Sequence, residues 1–297
     1  MKTGVAAAPP TAKSFTFGSS RLFALAEKLR LYKPPPPLSS LFDEAEEMRA
    51  EGIGKSISDV GFQESIAPVR FRPKKAAVLV CLFEGDDGDL RVILTKRSST
   101  LSTHSGEVSL PGGKAEERDK DDGYTATREA EEEIGLDPSL VDVVAFLEPF
   151  PSQHLLRVVP VVGILWDKKA FNPTPNPAEV EAVFDAPLEM FLKDENRRSE
   201  EIEWMGEKHL VHFFDYKTGD EDHVIWGLTA RILIRAATVV YQRPPAFIEG
   251  KSNFKYSRMH TACVIKVGIV SGWEFLCISK SFDLKPRYVA VMFVIYS

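Results

Sequence analysis

The chain has 297 residues and a mass of 33.1 kDa, enough for one large domain or two small ones around a real core. A hydrophobic fraction of 44% and a charged fraction of 27% exclude wholesale disorder, collagen and coiled coil. A net charge of −6 argues against a nucleic-acid binder held by phosphate contacts, so no nucleic-acid partner is expected.

In chain order, residues 1–26 contain no acid and carry Lys2, Lys13 and Arg21, a weak transit-peptide signature that suggests a mitochondrial or cytoplasmic location. Leu22, Leu25 and Leu29 lie at helical spacing over Arg21–Leu31, and Pro34 to Pro37 stop that helix. Asp43 to Glu51 is a short charged stretch that could be helical. Residues 1–70 are thus expected to be an extension, partly disordered, with one or two docking helices. Ala76 to Phe83 and Leu90 to Thr95 read as a hairpin around the turn residues Glu84 to Asp89. Pro111-Gly112-Gly113 follows a polar loop. Thr125 to Ile134 is a helix ended by Gly135. Val141 to Phe146, Arg157 to Trp166 and Val211 to Tyr216 are strands, Pro187 to Phe191 is a short helix, and Trp226 to Tyr241 is a long closing helix. This interleaving predicts an α/β fold, a mixed sheet flanked by helices on both faces, over residues 71–248. Residues 249–297 form an atypical tail. From Lys251 to the end there are seven Lys or Arg against two acids, which leaves the first 250 residues at −11. No apolar run reaches the ~20 residues of a membrane span, the longest being Tyr288 to Tyr296. Cys81, Cys263 and Cys277 have no metal-ligand spacing and fit a reducing compartment.

The chemistry concentrates between Glu116 and Glu133, where nine acids face three basic residues. On a helix, Glu129, Glu132 and Glu133 stand at i, i+3 and i+4, so three carboxylates share one face. Like charges at that spacing destabilise the helix unless something cationic neutralises them. A hard divalent ion with oxygen ligands suits that task. Arg128 precedes the cluster, and its planar fork can hold a carboxylate in one rotamer; the alternative is a surface ion pair of little worth. Ala126, Ala130 and Ile134 lie on the opposite side and can pack the helix onto a sheet.

These residues resemble a known family. Gly113, a carboxylate six residues on at Asp119, and then Arg128-Glu129-Ala130-Glu131-Glu132-Glu133-Ile134-Gly135-Leu136 look like the Nudix box, in which a glycine and an acid precede R-E-U-x-E-E-x-G-U. The second half matches at every fixed position. The first half departs from the pattern: the acid is Asp rather than Glu, and eight residues rather than seven separate it from Arg128. Upstream, Leu94-Thr95, Arg97-Ser98, Leu101, His104, Gly106-Glu107 and Leu110-Pro111-Gly112-Gly113 resemble the signature of the coenzyme A diphosphatase branch, with Leu110 where that signature has Phe. The run from about Gly61 to Phe247 is similar to the coenzyme A Nudix hydrolases of plants.

The resemblance implies a Nudix-type α/β/α sandwich that hydrolyses the pyrophosphate bond of coenzyme A, a small-molecule substrate, with Mg²⁺ or Mn²⁺. It implies that Glu132 and Glu133 hold the ion with the Gly113 carbonyl, and that Glu129 is a further ligand or orients the water. The general base comes from this helix or from a later loop, where Glu179 and Glu181 are available. Lys96, Arg97, His104, Glu107 and Gly112 are expected to line the substrate. Cleavage of ADP-ribose or dinucleotides, and a non-catalytic nucleotide-sensing module, are the alternatives. Monomer and homodimer both remain open. The chain has no H-E-x-x-H, C-x-x-C, G-x-S-x-G or P-loop motif, and its other histidines show no ligand spacing.

Overall fold

The computed structural model describes residues 19–35, 74–152, 156–204, 207–250, 265–270 and 273–278. The charged stretch Asp43 to Glu51, most of the transit-like segment and the apolar run from Tyr288 lie outside these. The chain divides into two compact units, one of Met1–Pro35 with Lys74–Ser252, the other of Pro36–Pro73 with Asn253–Ser297.

The first unit is built on an eight-stranded sheet. Strand β1 (Lys75–Glu84) is apolar on both faces because both are covered. Ala77, Leu79, Cys81 and Phe83 join one core cluster, while Ala76, Val80 and Leu82 alternate into the other. Burial pushes the Cys81 thiol up to about 12, so it stays a neutral packing residue. Strands β2 (Leu90–Arg97), β3 (Val108–Ser109), β4 (Gly112–Lys114), β5 (Val141–Phe146), β6 (Phe150–Pro151), β7 (Arg157–Leu165) and β8 (Val180–Pro187) complete the sheet. Its central path runs β3-β2-β1-β7-β5. Only β1 and β7 are parallel, so the sheet is mixed, as expected.

One detail of this register positions the site. β2 pairs with β1 only from Leu90 to Val92, opposite Glu84 to Leu82. Its other edge pairs with β8 from Arg91 to Arg97, and at Thr95 and Lys96 β3 takes the place of β1. The first half of β1 is left free to pair with β4, so Gly113 lies opposite Ala77 and Gly112 opposite Val78. Gly112 has φ +150 and an added Cβ would strike the Ala77 carbonyl and Val78 Cα. Only glycine can cross there.

Helix α1 (Ser20–Arg30) starts on Ser19, whose side chain accepts from the Leu22 N–H. It buries Leu22, Ala26 and Leu29 in the cluster that also takes Ile232, Leu233 and Ala236 of α3 (Gly227–Tyr241). The opposite face carries α2 (Asp122–Ile134), whose Ala126, Ala130 and Ile134 pack on β1. The expected sandwich is therefore present. α2 begins three residues before the expected Thr125, because the Asp121 carboxylate accepts from the Tyr124 N–H and caps it there. Gly135 ends it with φ +71. The short helix after β8 is 3₁₀, Leu188–Leu192.

β8 itself reads as loop in the sequence, and so do β9 (Arg197–Trp204) and β11 (Glu221–Trp226), which flank β10 (Glu207–Thr218) in a separate three-stranded sheet. β9 is exposed and rich in charge, so it has no hydrophobic period to reveal it. In the second unit, within the tail expected to be atypical, the chain forms the hairpin β12 (Ile265–Val270) and β13 (Trp273–Ile278). Among the described residues no helix is long and apolar enough to cross a membrane.

Candidate active site

The acidic helix face is organised first by Arg128. Its side chain is only 7% exposed and donates in four directions. Nε reaches Asp119 Oδ1 at 3.0 Å and Nη2 reaches Asp119 Oδ2 at 3.1 Å, a two-pronged grip. Nη2 also reaches Glu129 Oε1 at 2.9 Å and the Lys114 carbonyl at 3.3 Å, while Nη1 reaches Glu132 Oε2 at 2.9 Å. The reading of Arg128 as a surface ion pair is therefore wrong, since a buried cation with four acceptors is costly to lose. Part of the cation expected to neutralise the glutamates is Arg128 itself.

Asp119 is the anchor of this grip. It also accepts from the Glu116 N–H and the Thr125 hydroxyl, each at 2.9 Å. These donors, led by Arg128, hold its carboxyl at about 2, well below the usual range. The extra residue before Arg128 is absorbed in the turn ahead of α2, and Asp119 still meets the guanidinium. It serves to fix Arg128; its oxygens are fully engaged within the protein.

The other side of the helix is different. Glu133 is 4% exposed, and its Oε2 accepts from the Gly112 N–H at 3.1 Å. Burial pushes its carboxyl up to about 7 against that hydrogen bond, with repulsion from Glu179 and Glu129 adding to the rise. Glu129 is also raised, by partial burial first, despite Arg128, with Glu132 and Glu179 repelling it. Gly113 packs directly on the Glu129 carboxyl, and a Cβ there would fall inside it. Arg97, at the end of β2, is the cation that offsets Glu133, and its buried Nε has no hydrogen-bond partner among the described residues.

Glu179 arrives by a route the sequence reading missed. The Thr174 and Asn176 N–H groups cap the free carbonyls of Ile134 and Glu133, each at 2.9 Å. Asn176 then turns the chain, accepting from the Ala178 N–H at 3.1 Å and donating to Glu179 Oε1 at 3.4 Å. The Pro173-Thr174-Pro175-Asn176-Pro177 run is turn chemistry that signals such a fixed loop.

Two expected residues are not brought in. Lys96 and Arg97 are successive residues of β2, and Lys96 instead binds Glu181 at 2.7 Å. Glu181 lies on β8, an exposed strand position, and is spent on that ion pair rather than on a loop facing the helix. Glu107 and His104 bond to each other on the loop after β2: His104 Nδ1 lies 2.9 Å from Glu107 Oε2, and the Glu107 carbonyl accepts from the Arg97 N–H at 2.9 Å.

Among the described residues no three acids, histidines or cysteines converge as a closed metal cage. Glu132 is 48% exposed and turned to Arg128. The donor chemistry nevertheless fits a hard divalent ion. The acids that repel one another here, Glu129, Glu133 and Glu179, offer oxygen as their metal donors, the Glu129 and Glu133 carboxyls resist ionisation, and Gly113 leaves room for the Glu129 carboxyl. A buried anionic pair with raised proton affinity is an arrangement that a bound cation relieves.

Residues 73–205 match the NUDIX domain. The chain is 84% identical over 264 residues to Nudix hydrolase 22, chloroplastic, of Arabidopsis thaliana, covering 88% of this chain and 87% of the relative. The chain belongs to the Nudix family. It is a hydrolase of pyrophosphate bonds with the Nudix fold, and the family uses divalent metal ions. Nudix hydrolase 15, mitochondrial, of the same plant is 77% identical over 222 residues, 72% of this chain and 78% of the relative. A peroxisomal coenzyme A diphosphatase of Mus musculus is 35% identical over 216 residues, 72% of this Nudix chain and 86% of the relative.

Proposed function

We propose that this Nudix hydrolase cleaves coenzyme A and its acyl derivatives into 3′-phosphoadenosine 5′-phosphate and (acyl-)4′-phosphopantetheine, using Mg²⁺ or Mn²⁺. The observation that carries this reading is the seating of the segment Arg97 to Gly113. That segment resembles the coenzyme A branch, and it is folded so that Arg97 and Gly112 flank Glu133. The murine relative, named a coenzyme A diphosphatase, supports it.

Glu129 and Glu133 are the residues proposed to hold the ion, with Glu132 and the Gly113 carbonyl to complete its shell. When bound, the ion supplies neutralising charge to the pyrophosphate oxygens and lowers the pKa of a water. Arg97 offers its unpaired Nε to a phosphoryl oxygen. Arg128 holds Glu129 and Glu132 in single rotamers, so the carboxylates are positioned before substrate arrives. Glu179 takes the proton of the attacking water. Its carboxylate is bonded only to the Asn176 amide among the described residues, leaving an oxygen free for that task. The chain is proposed to work in an organelle, the mitochondrion or the chloroplast; the relatives' names lend no support to the cytoplasm.

The test is to incubate the protein with Mg²⁺ or Mn²⁺ and coenzyme A, acyl-coenzyme A, ADP-ribose or NADH, and to weigh the products. Phosphopantetheine is expected. Consumption of ADP-ribose without it would overturn the substrate assignment.

A further inference from the structure

The three-stranded sheet β9-β10-β11 has two unlike faces. Phe214 and Ile225 are fully buried and belong to the core of the first unit. Phe213 and Trp226, which alternate with them, belong to neither core cluster and stay half-buried. They are directly opposite each other across β10 and β11, and Arg198 of β9 is directly opposite Phe213. The rings of Phe213 and Trp226 are parallel within 6°, with centroids 5.5 Å apart. The Arg198 guanidinium lies 4.5 Å over the Phe213 ring. Three planar groups thus form one row across the sheet at strand spacing, outside the core that would otherwise account for them.

Trp226 ends the row at the start of α3, whose first turn is bonded to the segment that carries Glu107. Three residues on, the Thr229 hydroxyl donates to the Val108 carbonyl at 3.1 Å. Val108 follows Glu107, whose carbonyl holds the Arg97 N–H. β11 also packs beside β3. The indole N–H has no hydrogen-bond partner among the described residues, so the end of the row retains a free donor beside a π face.

We infer that Trp226 is a stacking platform for the nucleobase of the substrate, continuing the Arg198-Phe213-Trp226 row by one more planar ring. The inference rests on the Nudix site as proposed above, whose substrates of either kind carry a base. A flat heteroaromatic ring matches a row that already runs from a cation onto two parallel π faces, and electron-poor purines stack well on indole. The role is in binding and specificity, since Trp226 touches no reacting atom.

The experiment compares Trp226→Ala, Trp226→Leu and Trp226→Phe with the parent protein. Steady-state cleavage of coenzyme A and ADP-ribose is measured, with calorimetric binding of 3′-phosphoadenosine 5′-phosphate and sedimentation to read oligomeric state. Both Ala and Leu variants should raise KM and weaken nucleotide binding about 5- to 100-fold, with kcat within about twofold. Phe should restore most of the binding, and Leu, which keeps apolar bulk, should match the parent in melting temperature. Unchanged KM and binding in the Leu variant overturn the platform, whether or not coenzyme A is the substrate. Dissociation of a dimer by the Leu variant with nucleotide binding intact overturns it in favour of an interface between copies. If only ADP-ribose is cleaved and its KM depends on Trp226, the platform stands and the coenzyme A assignment falls.

Discussion

The two flanks of α2 treat negative charge in opposite ways. Around Arg128, Asp119 is held at about 2 and every carboxylate has a donor. A few ångströms along the same helix, Glu133 is pushed up to about 7 with a neutral N–H as its hydrogen-bond partner and Glu179 and Glu129 repelling it. The first flank is closed by the protein's own guanidinium; the second carries the carboxyls proposed to meet the ion. The contrast teaches that acid count alone does not locate a metal site. The proposed ion site follows instead the part of the cluster whose carboxyls stay raised despite Arg97 and Arg128.

The largest expected effect breaks the finished flank. Arg128→Ala strands Asp119 in a buried place and should cost about 3–5 kcal/mol of stability, read as a lowered denaturant midpoint. A midpoint within experimental error of the parent would show that the network is cosmetic. Glu133→Gln strikes the open flank and should do the reverse. It removes a repelled charge, so the melting temperature without metal should hold or rise, while turnover falls about 10²- to 10³-fold. Added Mn²⁺ should raise the melting temperature of the parent and not of this variant; equal shifts in both would remove Glu133 from the ion.

The flanks also titrate with opposite sign. Glu133 binds its proton more tightly folded than unfolded, so its contribution in metal-free protein is full below its unfolded value of 4.5 and is lost as pH rises to about 7, on the order of 3 kcal/mol. Asp119 has its pKa lowered, so its contribution is present above 3.8 and is lost as pH falls toward 2. Chemical denaturation between pH 4.5 and 8 should therefore show a decline that Glu133→Gln abolishes; the same decline in that variant would assign it elsewhere. The smallest effect is Thr125→Val, which takes one hydroxyl from Asp119 and should cost about 1 kcal/mol by thermal melting, with kcat preserved.

Much of this was legible in the residues. The 3.6-residue period of Ala126, Ala130 and Ile134 and the stop at Gly135 define α2, and the apolar run of β1 announces a strand covered on both faces. The direction in which each charge is spent was not legible. Lys96 and Arg97 look equivalent as a basic pair, yet strand alternation sends one to Glu181 and the other to Glu133. Glu179 and Glu181 likewise differ only by where β8 begins. β9 and β11 escaped because short, charged strands carry little hydrophobic period, and with them went the row that ends in Trp226, whereas β8 does alternate, with Val180, Phe184 and Ala186 buried. Asp119 departs from the pattern by one inserted residue, and its meeting with Arg128 shows only in the fold.

Helix α1 carries one more consequence. It shares the core with α3, and Arg30 bonds Asp142 at 2.6 Å while Tyr32 bonds Glu148 at 3.1 Å. Yet residues 36–73 separate it in sequence from β1. Residues 19–35 are held to the sandwich by their own buried leucines and these side-chain bonds, as a docked peptide would be. Cut from the chain, that segment becomes an exchangeable ligand, and the enzyme a two-piece assembly whose folding depends on concentration.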